Sequence, residues 1–454
     1  MDAFAIESIM DKAALTCLSV LACAVAAPVY AAEQSAAPPT DGATLVETYK
    51  TLHAHPELSH HEEQTSAVVA RELRKAGYTV TDHIGVYPDG SKAFGVIGLL
   101  KNGAGPTLLI RADMDALPII EETGVPYASH VTTKNSTGQT VGVMHACGHD
   151  VHTTVLIGTA RALASAKAQW HGTLMMLAQP SEESIDGAKA MLADHLYERF
   201  GRPDMIIGLH DSNRYPAGAA AITSGPAMAS STSIDVTIRG IGGHGSAPQD
   251  GRDPIVLAAL FITQLQTIVS REEDPRDPAV VTVGDIHGGT RRNIIPDSVK
   301  LELTTRAFSS KSRQVIIDGV RQMALGIATS AGLPPDKAPI VTVLDDESTP
   351  VLYNDPGLSA KVKASLVESL GSGSVFDSEP LTGSEDVGVF GLEGHQIPVA
   401  FYWLGAMYPD RFAAATAAGG FPPGMHTSKF EPDPEPTLVS GVKSLTAAAL
   451  SLLR

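Results

Sequence analysis

Cysteine is scarce in this chain, with three in 454 residues: Cys17, Cys23 and Cys147. The first two sit in an apolar, small-residue run, "LTCLSVLACAVAAPVYA" (15–31), that ends in Val29-Tyr30-Ala31 and reads as a cleavable export signal. Removal of 1–31 would leave Cys147 alone, which excludes an intramolecular disulfide in the mature chain. An excess of basic charge is also missing. The formal net charge is -17, and without a basic face nonspecific nucleic-acid binding is excluded. The N-terminal run is too short and too rich in alanine for a permanent membrane span. With 43% hydrophobic and 18% charged residues, neither a disordered chain nor a multi-span membrane protein is indicated. Internal repeats and basic tracts are absent from the sequence. What remains is a soluble globular chain, long enough for two domains, whose partner is a small molecule.

The leader has two further readings. Lys12 lies close to Met10, so translation from Met10 would give a short, typical n-region. A lipid anchor on Cys23 fits less well, because Val20 stands where a lipoprotein signal has leucine. The expected location is therefore the bacterial periplasm, with no stable membrane span after processing.

Beyond a tether over 32–43, an amphipathic helix carries Leu45, Val46, Tyr49 and Leu52 at helical spacing. Ser59 with Glu62 reads as a capping box that opens a second helix through about Lys75, closed by Gly77. Four apolar runs of strand length follow: "AFGVIGLL" (93–100), "TLLIRAD" (107–113), "TLMMLAQ" (173–179) and "DMIIGLH" (204–210). A helix over 151–165 separates the second from the third. Buried strands alternating with helices predict an open α/β sheet. From residue 228 to 345 the order becomes β-α-β-β-α-β, the pattern of a small α+β domain inserted into the larger one. A helix at 356–370, a strand "PVAFYWLGA" and a final Leu/Ala-rich helix return the chain to the first sheet. The predicted division is thus 1–31 signal, 32–43 tether, 44–227 with 346–454 as the catalytic domain, and 228–345 as the insertion.

Polar groups gather where the strands end. Asp113 and Asp115 follow "TLLIRA", Glu182 and Glu183 follow "TLMMLAQPS", and His210 closes "DMIIGL". In open α/β sheets, sites form beyond the carboxyl ends of the strands. The loop "VMHACGHDVHTT" (143–154) should reach the same rim. A cysteine near a helix N-terminus is expected to have a lowered pKa, suiting it to bind metal or to attack a carbonyl. Glu183, His210 and a late histidine favour the metal, and a mixed S/N/O set suits zinc, with manganese or cobalt as alternatives. Of the adjacent Glu182 and Glu183, one can coordinate while the other serves as a general base. Asp150 reads as a cap or supporting group at the helix entry, and His145 and His152 as packing or hydrogen-bonding residues. "GIGGHGSAP" sets His244 in a Gly-rich turn, and "GGTRRNIIPD" sets Arg291, Arg292 and Asn293 on a loop of the insertion. These two stretches could meet the metal rim only across a domain or subunit interface.

Taken in order, "LHAHPELSHHEEQT", "RADMDALPI", "MHACGHDVHTT", "QPSEE", "GLH", "GIGGHGSAP", "GGTRRNIIPD" and "TGSEDVGVF" resemble the amidohydrolase branch of the M20 metallopeptidase family. That branch includes hippurate hydrolases, N-acyl-amino-acid hydrolases and auxin-conjugate hydrolases. The resemblance implies an α/β catalytic domain with a mixed, mostly parallel sheet, and an inserted domain used for dimerisation or as a lid. It implies two divalent ions held by Cys147, His149, Glu183, His210 and His426, with Cys147 as the bridge. Glu182 would take a proton from the water between the ions, and Asp113 would orient a ligand. Arg111 stands where related metallopeptidases have a metal histidine, a place His149 takes in this branch. His244 would reach the partner's site in a homodimer and stabilise the oxyanion. Asn293 would contact substrate, and Arg292 would hold its carboxylate. The substrates implied are N-acyl or N-aroyl amino acids or small peptides.

Two departures stand out. Asp211 replaces an apolar or aromatic residue, which puts a charge near the site and the usual wall of the acyl pocket in question. Ser428 replaces proline in "HTSKF". Competing readings are an exported small-peptide carboxypeptidase or dipeptidase of the same family, a thiol hydrolase with Cys147 as nucleophile, and a catalytically silent binding protein.

Overall fold

The computed structural model describes residues 41–134, 137–392 and 394–454. The signal expected over 1–31 and the start of the tether lie outside the described residues. Helix α1 (Gly42–His53) opens inside the last residues of the stretch read as tether, with Asp41 capping it by accepting from the Thr44 amide. Helix α2 (Glu63–Lys75) starts without the capping box read from Ser59 and Glu62. Ser59 Oγ instead donates to Asp115 at 2.7 Å, and Glu62 accepts from the His60 and Ser181 amides. Both side chains are drawn into long-range contacts that local spacing does not encode. Gly77, at φ +90, closes the helix as expected.

The main sheet has eight strands, in the order Thr79–Val86, Lys92–Asn102, Gly172–Gln179, Thr107–Asp113, Met205–Pro216, Val399–Met407, Ala220–Ile222 and Val375–Asp377. Thr107–Asp113 runs parallel to both its neighbours, and Val399–Met407 runs parallel to Met205–Pro216. The two strands at the Thr79 edge are antiparallel. Every residue of Val399–Met407 is buried, as a central strand covered on both faces requires. One face packs under α1, α2, helix α3 (His149–Ser165) and the C-terminal helix Pro434–Leu452, with Tyr49, Trp170 and Tyr402 at its core. The other face holds Leu109, Phe390, Phe401 and Met191. Helix α3 and the C-terminal helix meet through Gly158 and Gly441, where an added methyl would overlap valine side chains of the opposite helix.

Residues 230–349 form a separate four-stranded antiparallel sheet, ordered Ala279–Gly288, Ser298–Ala307, Ser230–Arg239 and Ile340–Thr349. Helices Pro254–Thr267 and Ser310–Ser330 cover one face, packing Phe261, Leu265, Ile316 and Val320 onto Ile234, Val236 and Leu301. Its strands alternate between buried and exposed residues, so only that face is covered.

A buried ion triad ties α1 to the entry of α3. His53 Nδ1 lies 2.7 Å from Asp150 Oδ2 and its Nε2 lies 3.1 Å from Glu121 Oε1. Burial disfavours the imidazolium, but hydrogen bonds to the two carboxylates outweigh it and lift His53 to a pKa of about 10. Removing one member of a buried pair typically costs about 3–5 kcal/mol, because the remaining charge is left alone. His53→Gln is therefore expected to destabilise the fold by that order in urea titrations. Because the folded-state pKa is raised, the stabilisation is complete below the unfolded histidine's value and disappears as pH rises through about 10. The gap between wild type and His53→Gln should accordingly narrow from pH 7 to pH 10; a constant gap would exclude the triad as its source.

Candidate metal centre

The parallel strands do deliver the predicted carboxylates and histidines to one rim. Asp113 ends its strand, and Glu182 and Glu183 lie just past Gln179. His210 does not close its strand as read from sequence; the strand runs on to Pro216, so His210 projects from within it. Helix α3 begins at His149, earlier than predicted, after Gly148 at φ +79. That left-handed residue turns the chain so that Cys147 and His149 face the rim together. Gly148 also abuts the Asp211 carboxylate, with no room for a side chain.

Five candidate ligands converge. Cys147 Sγ is 3.5 Å from His210 Nε2 and 3.2 Å from His426 Nε2. His426 Nε2 is 3.3 Å from Glu183 Oε1, which in turn is 4.0 Å from His149 Nε2. His426 is fixed by its backbone: it sits at φ 63, and its amide donates to the Ala146 carbonyl of the cysteine loop at 2.8 Å. Ser428, the departure from proline, anchors the same loop by donating to Glu122 at 2.7 Å. His149 Nε2 and Glu183 Oε1 are both buried without a hydrogen-bond partner. A native fold rarely leaves such atoms unsatisfied. Orphaned nitrogen and oxygen beside a thiol and two further imidazoles fit a divalent cation.

The charges agree. Burial, then Glu183 and Glu182, push the Cys147 thiol well above its ordinary value. This corrects the expectation of a helix-lowered thiol: the surrounding carboxylates and desolvation outweigh the helix N-terminus. A cation bound beside Cys147 would favour its thiolate. Burial and then Glu385 and Glu183 raise Glu182 well above the usual carboxylate range. His149 is raised despite burial, because Asp113 and Asp115 lie against it.

The supporting residues differ in part from expectation. Asp115, not Asp113, holds His149: its Oδ1 lies 3.2 Å from His149 Nδ1. Asp115 also accepts the Glu182 and Glu183 amides at 3.1 and 3.0 Å, which fixes the direction of both glutamates. Asp113 bonds His152 Nδ1 and Arg111 at 2.5 Å each, and its Oδ2 lies 3.7 Å from His149 Nε2. His152 is thus a hydrogen-bonding residue, as read, and His145 is a packing residue with both ring nitrogens buried and unpartnered. Asp150 lies in the first turn of α3 and bonds His53. Glu385 was missed as a member of the site; it joins Arg111 at 2.6 Å. The motif "TGSEDVGVF" carried the signal, but nothing local says which of its acids turns inward.

His244, Arg292 and Asn293 are brought together elsewhere. His244 pairs with Ile294 in a two-stranded ladder, and the Asn293 carbonyl accepts the Gly245 amide at 2.9 Å. Arg292 lines an open cleft of about 500 Å³ with Gly245, Arg291 and Ile295. Among the described residues, no hydrogen bond or ion pair joins these three to the rim.

Beside His210 lies a smaller recess of about 210 Å³, lined by Ser212, Arg214, Tyr215, Leu381, Trp403 and Phe421 among others. Trp403 packs on His210, ring centroids 5.6 Å apart. The Asp211 side chain does not enter this recess; it turns inward and is fully buried.

The model of peptidase family M20/M25/M40 matches residues 109–419. Hippurate hydrolase of Campylobacter jejuni is 36% identical over 75% of this chain and 82% of its own length. N-acetylcysteine deacetylase of Bacillus subtilis is 34% identical over 80% of this chain and 88% of its own. A dinuclear metal-binding peptidase of the M20 family from Bacillus subtilis superposes with a TM-score of 0.72 at 29% identity, covering 91% of this chain and 98% of that structure. The chain therefore belongs to peptidase family M20/M25/M40, in its amidohydrolase branch, and is a metal-dependent hydrolase of amide or peptide bonds.

Proposed function

We propose that this enzyme hydrolyses the amide bond of N-acyl or N-aroyl amino acids, with two divalent ions held by Cys147, His149, Glu183, His210 and His426. The observation that carries the reading is that His149 Nε2 is buried without a partner and faces Glu183 Oε1, whose one close polar contact among the described residues is His426 Nε2 at 3.3 Å. Zinc suits the donor set best, with manganese or cobalt as alternatives. When bound, such ions acidify water and polarise the scissile carbonyl. Glu182, raised in pKa and held by its amide bond to Asp115, accepts the proton of the attacking water and returns it to the leaving amine. The recess beside His210 is below the roughly 300–1,000 Å³ usual for drug-sized ligands and suits a single acyl or aroyl group. Small peptides are the second substrate class, as the family resemblance allows.

A panel of N-acyl amino acids and dipeptides tests this on the mature protein, metal-stripped and then resupplied with zinc, manganese or cobalt. Turnover should vanish on chelation, return with metal and favour acyl amino acids. Activity that survives chelation but not iodoacetamide would replace this reading with Cys147 as nucleophile.

We further propose that the active unit is a homodimer in which His244 serves the partner's site. Ser246 donates its amide to His244 Nδ1 at 3.1 Å, so Nε2 carries the proton and can donate to an oxyanion. Helix Pro254–Thr267 leaves Val256 and Leu260 more than half exposed, the kind of apolar face a second copy would cover. Removing an oxyanion donor costs about 10²–10³ in turnover, so His244→Ala should show that loss at unchanged metal content. Mixing it with Glu182→Gln should restore activity through hybrid dimers; a mixture as inactive as its parts overturns the arrangement. Export to the periplasm is proposed with cleavage after Ala31, which N-terminal sequencing of the secreted chain would check.

A further inference from the structure

Asp211 is the most conspicuous charged residue of the rim without a part in the mechanism above. Its side chain is fully buried, between the Cys147-Gly148 turn and two imidazoles. Oδ1 lies 3.3 Å from His210 Nδ1 and 3.2 Å from His152 Nε2. Oδ2 has no hydrogen-bond partner.

The two imidazoles engage only one of the carboxylate's two oxygens. His152 Nε2 lies 3.2 Å from Oδ1 and 2.9 Å from the Asp211 amide nitrogen. His152 Nδ1 faces Asp113 Oδ1 at 2.5 Å. His210 Nδ1 is already bonded to the Asp211 main-chain carbonyl at 2.8 Å, which fixes the ring and aims Nε2 at Cys147. The carboxylate is therefore not needed to orient His210. What it adds is a buried negative charge on the far side of that imidazole from the Cys147 sulfur. A negative charge so placed makes the imidazole a stronger ligand for a cation.

We propose that Asp211 is a positioning residue of the metal centre that acts through His210 by its charge: it raises the affinity for a divalent ion at Cys147 and His210. The inference rests on the metal reading of those two residues. Groups that support metal-bound histidines change metal affinity by about 10–100-fold when altered, and a loss of that size is expected here.

The test compares wild type with Asp211→Asn, which keeps shape and removes charge, and with Asp211→Ser, which also removes bulk. Zinc dissociation constants come from competition with a chromophoric chelator, and melting temperatures are taken with and without zinc. In Asp211→Asn, zinc should bind about 10–100-fold more weakly, and saturating zinc should raise the melting temperature by less than in wild type. Asp211→Ser should show the same loss of affinity. Equal affinity in wild type and Asp211→Asn overturns the proposal. So does a loss of zinc affinity in Asp211→Ser that is absent in Asp211→Asn, which would make the bulk of the side chain, not its charge, responsible. Failure of wild type itself to bind zinc, manganese or cobalt would instead overturn the metal reading on which the proposal stands.

Discussion

Glu182→Gln is expected to keep its metal and to lose turnover by about 10²–10⁴, the usual contribution of a positioned acid–base group. The two glutamates are adjacent, and the geometry sets apart the tasks proposed for them. Both amides are held by Asp115, which leaves Glu183 facing His426 at 3.3 Å, while Glu182 Oε2 stands 3.9 Å from His149 Nε2. Burial and the nearby Glu385 and Glu183 raise Glu182 well above the usual carboxylate range, which suits the base role proposed for it. Glutamine preserves size and removes the basic oxygen. Metal content by atomic emission and kcat on the best acyl amino acid form the measurement. Turnover within about tenfold of wild type would remove Glu182 from the role, given what such groups contribute. Glu183→Gln should differ in kind, with metal lost along with activity.

Arg111→Met is expected to destabilise the metal-free protein by about 3–5 kcal/mol, the cost of breaking a buried ion pair by removing one partner. The guanidinium is fully buried and contacts Asp113 at 2.5 Å, Glu385 at 2.6 Å, Asp386 at 3.0 Å and Gln179 at 2.8 Å. It is the one permanent cation among these acids. Burial and Glu385 already push Asp386 up to about 7 in its presence. Without Arg111, the charge that holds Asp113 low and restrains Asp386 is gone, and burial then raises both. Groups raised in this way favour folding at low pH and lose that advantage as pH rises. The stability gap between wild type and Arg111→Met in urea should therefore be widest near pH 8 and shrink toward pH 5. A gap that widens on acidification would show that packing of the arginine stem, not its charge, is what was lost. Arg111→Lys keeps the charge but cannot fork to several acceptors, so it should recover only part of the stability.

How much of this was legible from residues alone depends on the range of the interaction. The strands over 107–113 and 173–179 and helix α1 announce themselves through local apolar pattern, and the fold bears them out. The Ser59–Glu62 capping box failed because both side chains had stronger partners more than fifty residues away, Asp115 and Ser181. Asp113 and Asp115 look equivalent in "RADMDALPI"; only the packed structure gives His149 to Asp115 and Arg111 to Asp113. The thiol of Cys147 was misjudged for the same reason, since the carboxylates that raise it arrive from distant strands.

The sequence by itself determined the strand and helix periods, the family of the motifs and the residue types able to bind a cation, because each is written in contiguous residues. Tertiary structure alone decided which nitrogen meets which carboxylate, that Asp211 turns inward rather than walling the acyl recess, and that His244, Arg292 and Asn293 stand apart from the rim. The physical reason is that the charge state and direction of a buried polar group are set by partners within a few ångströms, and in this fold those partners come from chain segments up to 279 residues apart.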